Sequence, residues 1–364
     1  MPHTAHAAAP AHAAAAPAAL PHDVLVRICS FLPPGAAALT APRLSKALAA
    51  EAAPRVAELR AAAAALQENT CEDVTLEYKS FSVPLWALQE AWPRLTQEQQ
   101  TNAAARAAFN GDLATLRWAL WALPQRDDAS SLYCEAAAAG GQLEALQCAR
   151  ALGCGWRETT CEAAAEGGHL AVLQWTRAQE PPCPWDERTC SAAARHGHLA
   201  VLQWARAQQP PCPWDKWTCS AAAEGGHLAV LQWARAQQPP CPWDSWAYGA
   251  AAQEGHLAAL QWLRAQQPPP PGEHWICNKA VQNGQLAVLQ WARAQQPPCP
   301  WDEGTCSTAA ETGQLALLQW MRAQEPPCPW FALECYHCAL FGCAEDDPML
   351  DWIRAQAALE GEVL

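Results

Sequence analysis

The pattern of apolar and polar residues repeats every 29 residues along most of this chain. One copy, from Leu199 to Leu231, contains an apolar run, two prolines, Cys-Pro-Trp, an alanine-rich run and Gly-Gly-His. The residue before the first leucine of each apolar run marks the spacing, at His169, His198, His227, His256, Gln285 and Gln314. A period of about 20 to 50 residues is typical of solenoids, in which each unit buries its apolar face against the next. The pattern therefore predicts a stack of repeats.

Each unit is predicted to contain two helices. Residues 218–226 form a short run of small side chains, which lets helices approach closely, and residues 227–237 form an apolar helix about 11 residues long. The apolar arc of the second helix is wide, which is typical of a helix with neighbours on both flanks. This arrangement leaves Gln232 and Arg235 for solvent. Pro239 follows and prevents the helix from continuing, because proline lacks the amide donor and clashes with the preceding turn.

The repeats are predicted to occupy residues 102–330, with the regular period starting near residue 170. Earlier copies are shorter, since Leu143 and Leu170 are only 27 residues apart. Residues 331–364 form a degenerate C-terminal capping repeat, in which Trp352 corresponds to Trp320. The fold class predicted from this pattern is all-α, a helical-repeat solenoid.

The repeated signature of Gly-His-Leu, Leu-Gln-Trp-Ala-Arg and Cys-Pro-Trp resembles the ankyrin repeat, in the short variety found in algal and protist proteins. The resemblance covers about Asn102 to Gln356. This chain departs from the usual T-P-L-H-x-A opening, because Trp217 to Ser220 take its place. The resemblance implies that the first helix of each repeat, and the loop before it, line a concave side where protein partners bind.

The N-terminal third differs in composition from the repeats. Residues 1–19 contain mostly Ala, Pro and His, which predicts a disordered tail rather than a transit peptide. Residues 20–53 resemble an F-box, which implies docking on the small adaptor subunit of a cullin-RING ubiquitin ligase; the alternative is a helical hairpin that caps the solenoid. Residues 54–101 form a connector with one short strand at Val74–Tyr78. The adaptor-binding residues implied by the F-box resemblance are Leu20, Pro21, Leu25, Ile28, Phe31 and Leu32.

Charge and hydropathy exclude several classes of partner. The formal net charge is -13 and no Lys/Arg block is present, which argues against a nucleic acid or an anionic membrane as the main partner. No apolar run approaches the ~18 residues of a membrane span, and the N-terminus does not resemble a signal peptide. The expected location is cytoplasmic or nuclear.

Of the 18 cysteines, 13 fall into register with the repeats. One column lies at an apolar position of the first helix of each unit. The other lies in the loop between units, just before a tryptophan. A metal or redox site is the functional alternative, and Cys335, His337, Cys338 and Cys343 are its candidate ligands. Zinc sites usually use two close ligand pairs, whereas only one pair is visible here. The register therefore favours buried free thiols, with no metal or other cofactor. The two columns comprise Cys134, Cys161, Cys190, Cys219, Cys277, Cys306 and Cys335, and Cys154, Cys183, Cys212, Cys241, Cys299 and Cys328.

The repeated histidines have a structural interpretation as well. Successive histidines would lie about one repeat, ~10 Å, apart, which is too far to share a metal ion or a proton. We expect each to make a hydrogen bond that stabilises the turn between the two helices, and Gln285 and Gln314 can do the same. No serine elbow, phosphate-binding glycine loop or metalloprotease motif is present, so the chain is not expected to be an enzyme.

Differences between the copies indicate where a partner binds. Fixed positions are structural, whereas positions that change in near-identical copies are free of the stack. We expect three tryptophans among them to form a ladder of aromatic anchors, the alternative being that they seal the junctions between repeats. The predicted partner-binding residues before the first helix are Arg188, Lys216, Trp217, Trp246, His274 and Trp275, and those at its end are Arg195, Glu224, Gln253, Gln282 and Glu311.

The sequence therefore predicts a non-catalytic protein-interaction scaffold. Its F-box-like segment implies a substrate-recruiting role in a cullin-RING ubiquitin ligase. The alternatives are an ankyrin scaffold without a ubiquitin role and, from a different class, a thiol-rich metal-binding or redox protein.

Overall fold

The computed structural model describes residues 85–123, 130–269, 271–273, 275–342 and 347–362. The predicted tail, the F-box-like segment, the strand at Val74–Tyr78 and His274 lie outside these residues. The chain divides into two compact units, Met1–Ala107 and Ala108–Leu364. Every regular element in the described residues is helical.

The helices follow one another along the chain with short connections. A 3-10 turn at Trp92–Arg94 separates the first two, and α2 starts at Gln97, before the predicted repeat boundary at residue 102. The helices are α1 Leu85–Ala91, α2 Gln97–Asn110, α3 Leu113–Ala122, α4 Ser130–Ala139, α5 Leu143–Ala151, α6 Glu158–Glu166, α7 Leu170–Arg177, α8 Glu187–Arg195, α9 Leu199–Arg206, α10 Lys216–Glu224, α11 Leu228–Ala236, α12 Trp246–Gln253, α13 Leu257–Arg264, α14 Trp275–Gln282, α15 Leu286–Arg293, α16 Glu303–Glu311, α17 Leu315–Arg322, α18 Ala332–Gly342 and α19 Pro348–Glu360.

From α4 onward the helices form repeats of two, in which the even-numbered helix is called helix A and the odd-numbered one helix B. Helix A packs against the A helices of the repeats before and after it, and helix B packs against helix A of its own repeat. Most alanines and cysteines of the A helices are buried, as are a Val or Ala and a Leu of each B helix from α7 to α15. This consecutive packing confirms the predicted all-α helical-repeat solenoid.

An aspartate determines where helix A begins. In α10 the side chain of Asp215 accepts a hydrogen bond from the backbone N–H of Trp217 at 2.9 Å, which satisfies a donor that has no partner inside the helix. Helix A therefore starts at Lys216, two residues before the predicted start at Thr218. Helix B, Leu228–Ala236, is two residues shorter than the predicted 11.

The turn between helices A and B needs a glycine in the left-handed region. Gly226 has φ +70°, and the backbone N–H of His227 donates to the carbonyl of Ala222 at 2.8 Å. This six-to-one hydrogen bond closes the end of helix A as a Schellman motif, and it explains the Gly of the repeated Gly-His-Leu. The chain can therefore reverse direction between helix A and helix B within three residues.

The regular spacing of the histidines places each imidazole ring against the preceding repeat. His169 Nε2 donates to the carbonyl of Ala139 at 3.1 Å, and His198 Nε2 donates to that of Glu166 at 2.9 Å. Gln285 makes the equivalent bond to Gln253 at 3.2 Å. The predicted hydrogen bond is present, but it crosses from one repeat to the next instead of staying within one turn. The acceptor in each case is the carbonyl of the last residue of helix A, which has no partner inside its own helix.

These rings make stability depend on pH. Burial lowers the pKa of His169 and His227 below 6.5. As the pH falls through that value, the unfolded chain therefore takes up protons more readily than the folded chain does. The contribution of these neutral rings to stability is therefore fully present above pH 6.5 and is lost progressively below it. We expect the melting temperature of the unmodified protein to fall between pH 7 and 5.5, before carboxylates titrate. The double variant His169→Gln/His227→Gln, which copies the side chain at 285, should show a smaller fall in the same circular-dichroism melts; an equal fall would contradict the assignment.

The loop between repeats is held by an arginine and two tryptophans. The guanidinium of Arg235 lies 3.9 Å from the ring centre of Trp243, and its Nη1 donates to the carbonyl of Cys241 at 2.5 Å. The other contact of Trp243 is edge-on to Trp262 in the next repeat, at 6.2 Å between ring centres. The expectation that Arg235 faces solvent is therefore wrong, because its planar cation stacks on an aromatic face. The equivalent stacked pairs are Arg150–Trp156, Arg177–Trp185, Arg206–Trp214, Arg293–Trp301 and Arg322–Trp330.

Candidate functional site

Three tryptophans lie exposed on successive A helices. Trp217 is 47% exposed, Trp246 50% and Trp275 45%, whereas the aromatic rings of the inter-repeat loops are stacked as described. Each occupies the first turn of its helix, in α10, α12 and α14. Arg188 and Lys216 also lie within the first turn, not before the helix as predicted, because the helices capped by Asp186 and Asp215 begin two residues earlier than expected. We call the surface formed by Trp217, Trp246 and Trp275 the Trp face.

Neighbouring side chains hold the tryptophans in place. The rings of Trp217 and Trp246 are 6.1 Å apart between centres and tilted by 40°. Lys216 Nζ lies 5.3 Å from the ring centre of Trp217, and Lys279 Nζ lies 5.9 Å from that of Trp246. Lys216 also pairs with Asp244 at 3.0 Å. Because cations attract the negative face of an aromatic ring, these contacts orient the rings.

Two depressions lie between the tryptophans. The larger, of about 440 Å³, is lined by residues of α8, α10 and α12, among them Trp217, Trp246 and Arg188. The smaller, of about 70 Å³, is a narrow slot between Trp246 and Trp275. Gly249 forms its floor, since a side chain there would project toward Lys279. Aromatic walls with polar rims are typical of surfaces that bind side chains of a partner.

Two of the predicted positions at the end of helix A, Arg195 and Glu224, line the larger depression, and most of these positions make polar contacts with nearby side chains. Arg195 forms an ion pair with Glu224, and Lys279 Nζ donates to Gln282 at 2.9 Å. Gln253 Nε2 donates to the neighbouring Glu254 at 3.3 Å, and Glu311 is exposed. These side chains form a polar rim beside the aromatic column.

A further column of side chains escaped the sequence analysis. It is the residue directly after the cysteine of each A helix, and it lies beside the Trp face, where Ser191 and Ser220 line the larger depression and Gly249 the slot. Its signal was present, because it varies between copies as strongly as the predicted positions do. The column comprises Glu135, Glu162, Ser191, Ser220, Gly249, Asn278, Ser307 and Tyr336.

Apolar side chains continue the aromatic column at its C-terminal end. Leu333 of α18 occupies the register position of Trp275 two repeats later and is 47% exposed. Phe341, at the end of the same helix, is 92% exposed. Gly304 separates Trp275 from Leu333 in this column and leaves a gap without a side chain.

The cysteines are free thiols inside the stack. All those described are buried except Cys338, which is partly exposed, and Cys343 lies outside the described residues. Burial raises the pKa of Cys134, Cys277 and Cys335 to about 12 in each case. These thiols therefore stay protonated at neutral pH and are poor nucleophiles and poor metal ligands. The described residues contain no group of three or more His, Cys, Asp or Glu side chains placed to hold a metal ion.

Among the described helices, none is long and apolar enough to cross a membrane.

No family model matches the chain, and no curated protein matches it. Among solved structures, the crystal structure of the pentatricopeptide repeat protein PPR10 from maize is similar, with 17% sequence identity and a TM-score of 0.36. The alignment covers 94% of this chain and 53% of the maize protein, so this chain spans about half the length of that relative.

Proposed function

We propose that this protein is a non-catalytic scaffold that binds a protein partner on the Trp face. The observation that carries the proposal is the exposure of Trp217, Trp246 and Trp275 at matching positions of three successive A helices. Tryptophan is among the residues most enriched in binding hot spots, because a large ring removes much apolar area from water with little loss of side-chain freedom. The A helices hold these rings on a rigid row.

The rest of the chemistry supports binding and not turnover. Most of the described thiols are buried, and the rings of His169 and His198 are engaged in hydrogen bonds between repeats. The polar residues beside the Trp face pair with each other, as Arg195 and Glu224 do. Such pairs set the orientation of a partner and exclude poorly matched ones more than they add affinity.

Removal of the three rings should abolish capture of the partner. We expect Trp217→Ala/Trp246→Ala/Trp275→Ala to lower the recovery of specific partners by more than about tenfold, since hot-spot truncations cost about 2 kcal/mol or more each. The measurement is affinity capture with the full chain as bait, quantified by mass spectrometry. Trp121→Ala is the matched control, because Trp121 is 80% exposed but belongs to α3, away from the Trp face. Equal recovery with the triple variant and the control would refute the proposal.

We further propose that the repeats are short ankyrin-like units. The helix–turn–helix of each repeat, the Gly of its turn and the row of A helices support this. In such units helix A lines the concave side, which would place the Trp face there. The expected partner then lies along several repeats at once.

The role in ubiquitin ligation is a finer proposal that depends on residues 20–53. We propose that Leu20, Pro21, Leu25, Ile28, Phe31 and Leu32 dock on the small adaptor of a cullin-RING ligase, as the F-box resemblance implies. A binding assay with purified adaptor tests it, with Leu25→Asp/Ile28→Asp as the control that should not bind. No binding by the intact protein would leave a scaffold without a ubiquitin role.

A further inference from the structure

The charges around the Trp face are unequal. Across α6, α8, α10, α12, α14 and α16 there are seven glutamates against four Lys or Arg residues. Two of the four cations are already engaged in ion pairs, since Arg195 pairs with Glu224 and Lys216 with Asp244. The surplus of negative charge on this row of helices therefore has no partner of opposite sign within it.

The surplus is concentrated on α6, next to the larger depression. Glu158, Glu162 and Glu166 are spaced four residues apart, so they share one side of the helix and repel each other. Glu166 also lies at the C-terminal end, where the helix dipole disfavours a negative charge. Its contact with His196, at 3.6 Å, offsets this only when the imidazole is protonated.

Glu162 belongs to the column of residues that follows the cysteine position of each A helix and lies beside the Trp face. Its successors in the column, Ser191 and Ser220, line the larger depression. Burial raises the pKa of Glu162, and the carboxylates of Asp186, Glu166 and Glu135 raise it further, while Arg188 opposes them. These carboxylates are thus held close together at an energetic cost, near Arg188 of the larger depression, and a cation from a partner would relieve that cost.

We infer that the segment bound on the Trp face carries both apolar anchors and a cluster of Lys or Arg. The apolar residues fill the depressions at Trp217, Trp246 and Trp275, and the cations lie over Glu162 and Glu166. This inference rests on the proposed function and adds the chemical class of the partner. Complementary charge of this kind speeds association and selects the orientation in which the segment runs along the helices.

Selection from a random dodecapeptide library displayed on phage tests the inference directly. The full chain is the target, and Trp217→Ala/Trp246→Ala/Trp275→Ala is used for counter-selection. We expect enriched peptides to contain aromatic or large aliphatic residues and more Lys and Arg than Asp and Glu. A synthetic copy of the most enriched peptide is then measured by fluorescence anisotropy at several salt concentrations.

Glu162→Gln/Glu166→Gln should weaken that peptide by about three- to tenfold and reduce the salt dependence of its Kd. The matched control is Glu144→Gln/Glu325→Gln, which removes two exposed carboxylates from α5 and an inter-repeat loop and should leave the Kd nearly unchanged. Peptides without a cationic excess, or a Kd that responds equally to both pairs, would overturn the inference and leave the proposed function standing. If no peptide is enriched over the triple Trp variant, both fail.

Discussion

Trp243→Ala is expected to destabilise the protein by about 3 kcal/mol, near the lower limit for loss of a packed tryptophan. Trp243 connects two repeats, since Arg235 of one repeat stacks on its face at 3.9 Å and Trp262 of the next contacts it edge-on at 6.2 Å. The variant loses both ring contacts and leaves the guanidinium without its aromatic neighbour. Urea unfolding followed by circular dichroism measures the change.

The same variant should also make unfolding less cooperative. In a solenoid, stability is approximately the sum of the stabilities of the repeats and of the interfaces between neighbours. Weakening one interface in the middle of the array therefore allows the two sides to unfold separately, and the transition broadens. Trp121→Ala is the control, because a ring that is 80% exposed contributes little and should cost less than about 0.5 kcal/mol. A Trp243→Ala protein as stable as this control would show that the stacked arginine and tryptophans do not hold the repeats together.

The fold was largely predictable because the apolar pattern repeats. Each copy confirms the others, so the positions of helices and of buried cysteines such as Cys219 followed from the register alone. Helix ends were less predictable. Two residues were missed before Thr218 because Asp215 had not been identified as the cap, although Asp follows Cys-Pro-Trp in most copies and Thr stands three residues later.

The contacts between repeats could not be predicted from hydropathy. Arg235 counts as a polar residue in any apolar pattern, yet it packs on Trp243, which precedes the next helix pair. His198 bonds to a carbonyl 32 residues earlier, and only the three-dimensional stack brings these atoms together. The surface positions, too, are predictable only in part. Comparison of the copies predicts the column of Trp217 but not that of Glu162, because a residue next to a buried cysteine has no apolar pattern of its own that marks it as surface or core.

Gly226→Ala is expected to cost about 2 to 3 kcal/mol. The φ of Gly226 is +70°, and an alanine in the left-handed region costs about 1 to 2 kcal/mol. Its Cβ would also lie 2.5 Å from Nδ1 of His256, so the ring that rests on this turn must move. Both effects act on the junction between two repeats. Urea unfolding gives the change in free energy, and an unchanged midpoint would mean that this turn adopts another conformation.

Gly249→Ala is the matched control and should change stability in the opposite direction. Gly249 is inside helix α12, where alanine is favoured over glycine by about 0.5 to 1 kcal/mol, and the nearest atom to its Cβ is Lys279 Cγ at an ordinary 3.6 Å. The same methyl group would enter the slot between Trp246 and Trp275. This variant is therefore expected to be more stable than the unmodified protein and yet to bind its peptide more weakly. Stabilisation with unchanged peptide affinity would place the bound segment elsewhere on the A helices, because a ligand that fills the slot cannot ignore the added methyl group.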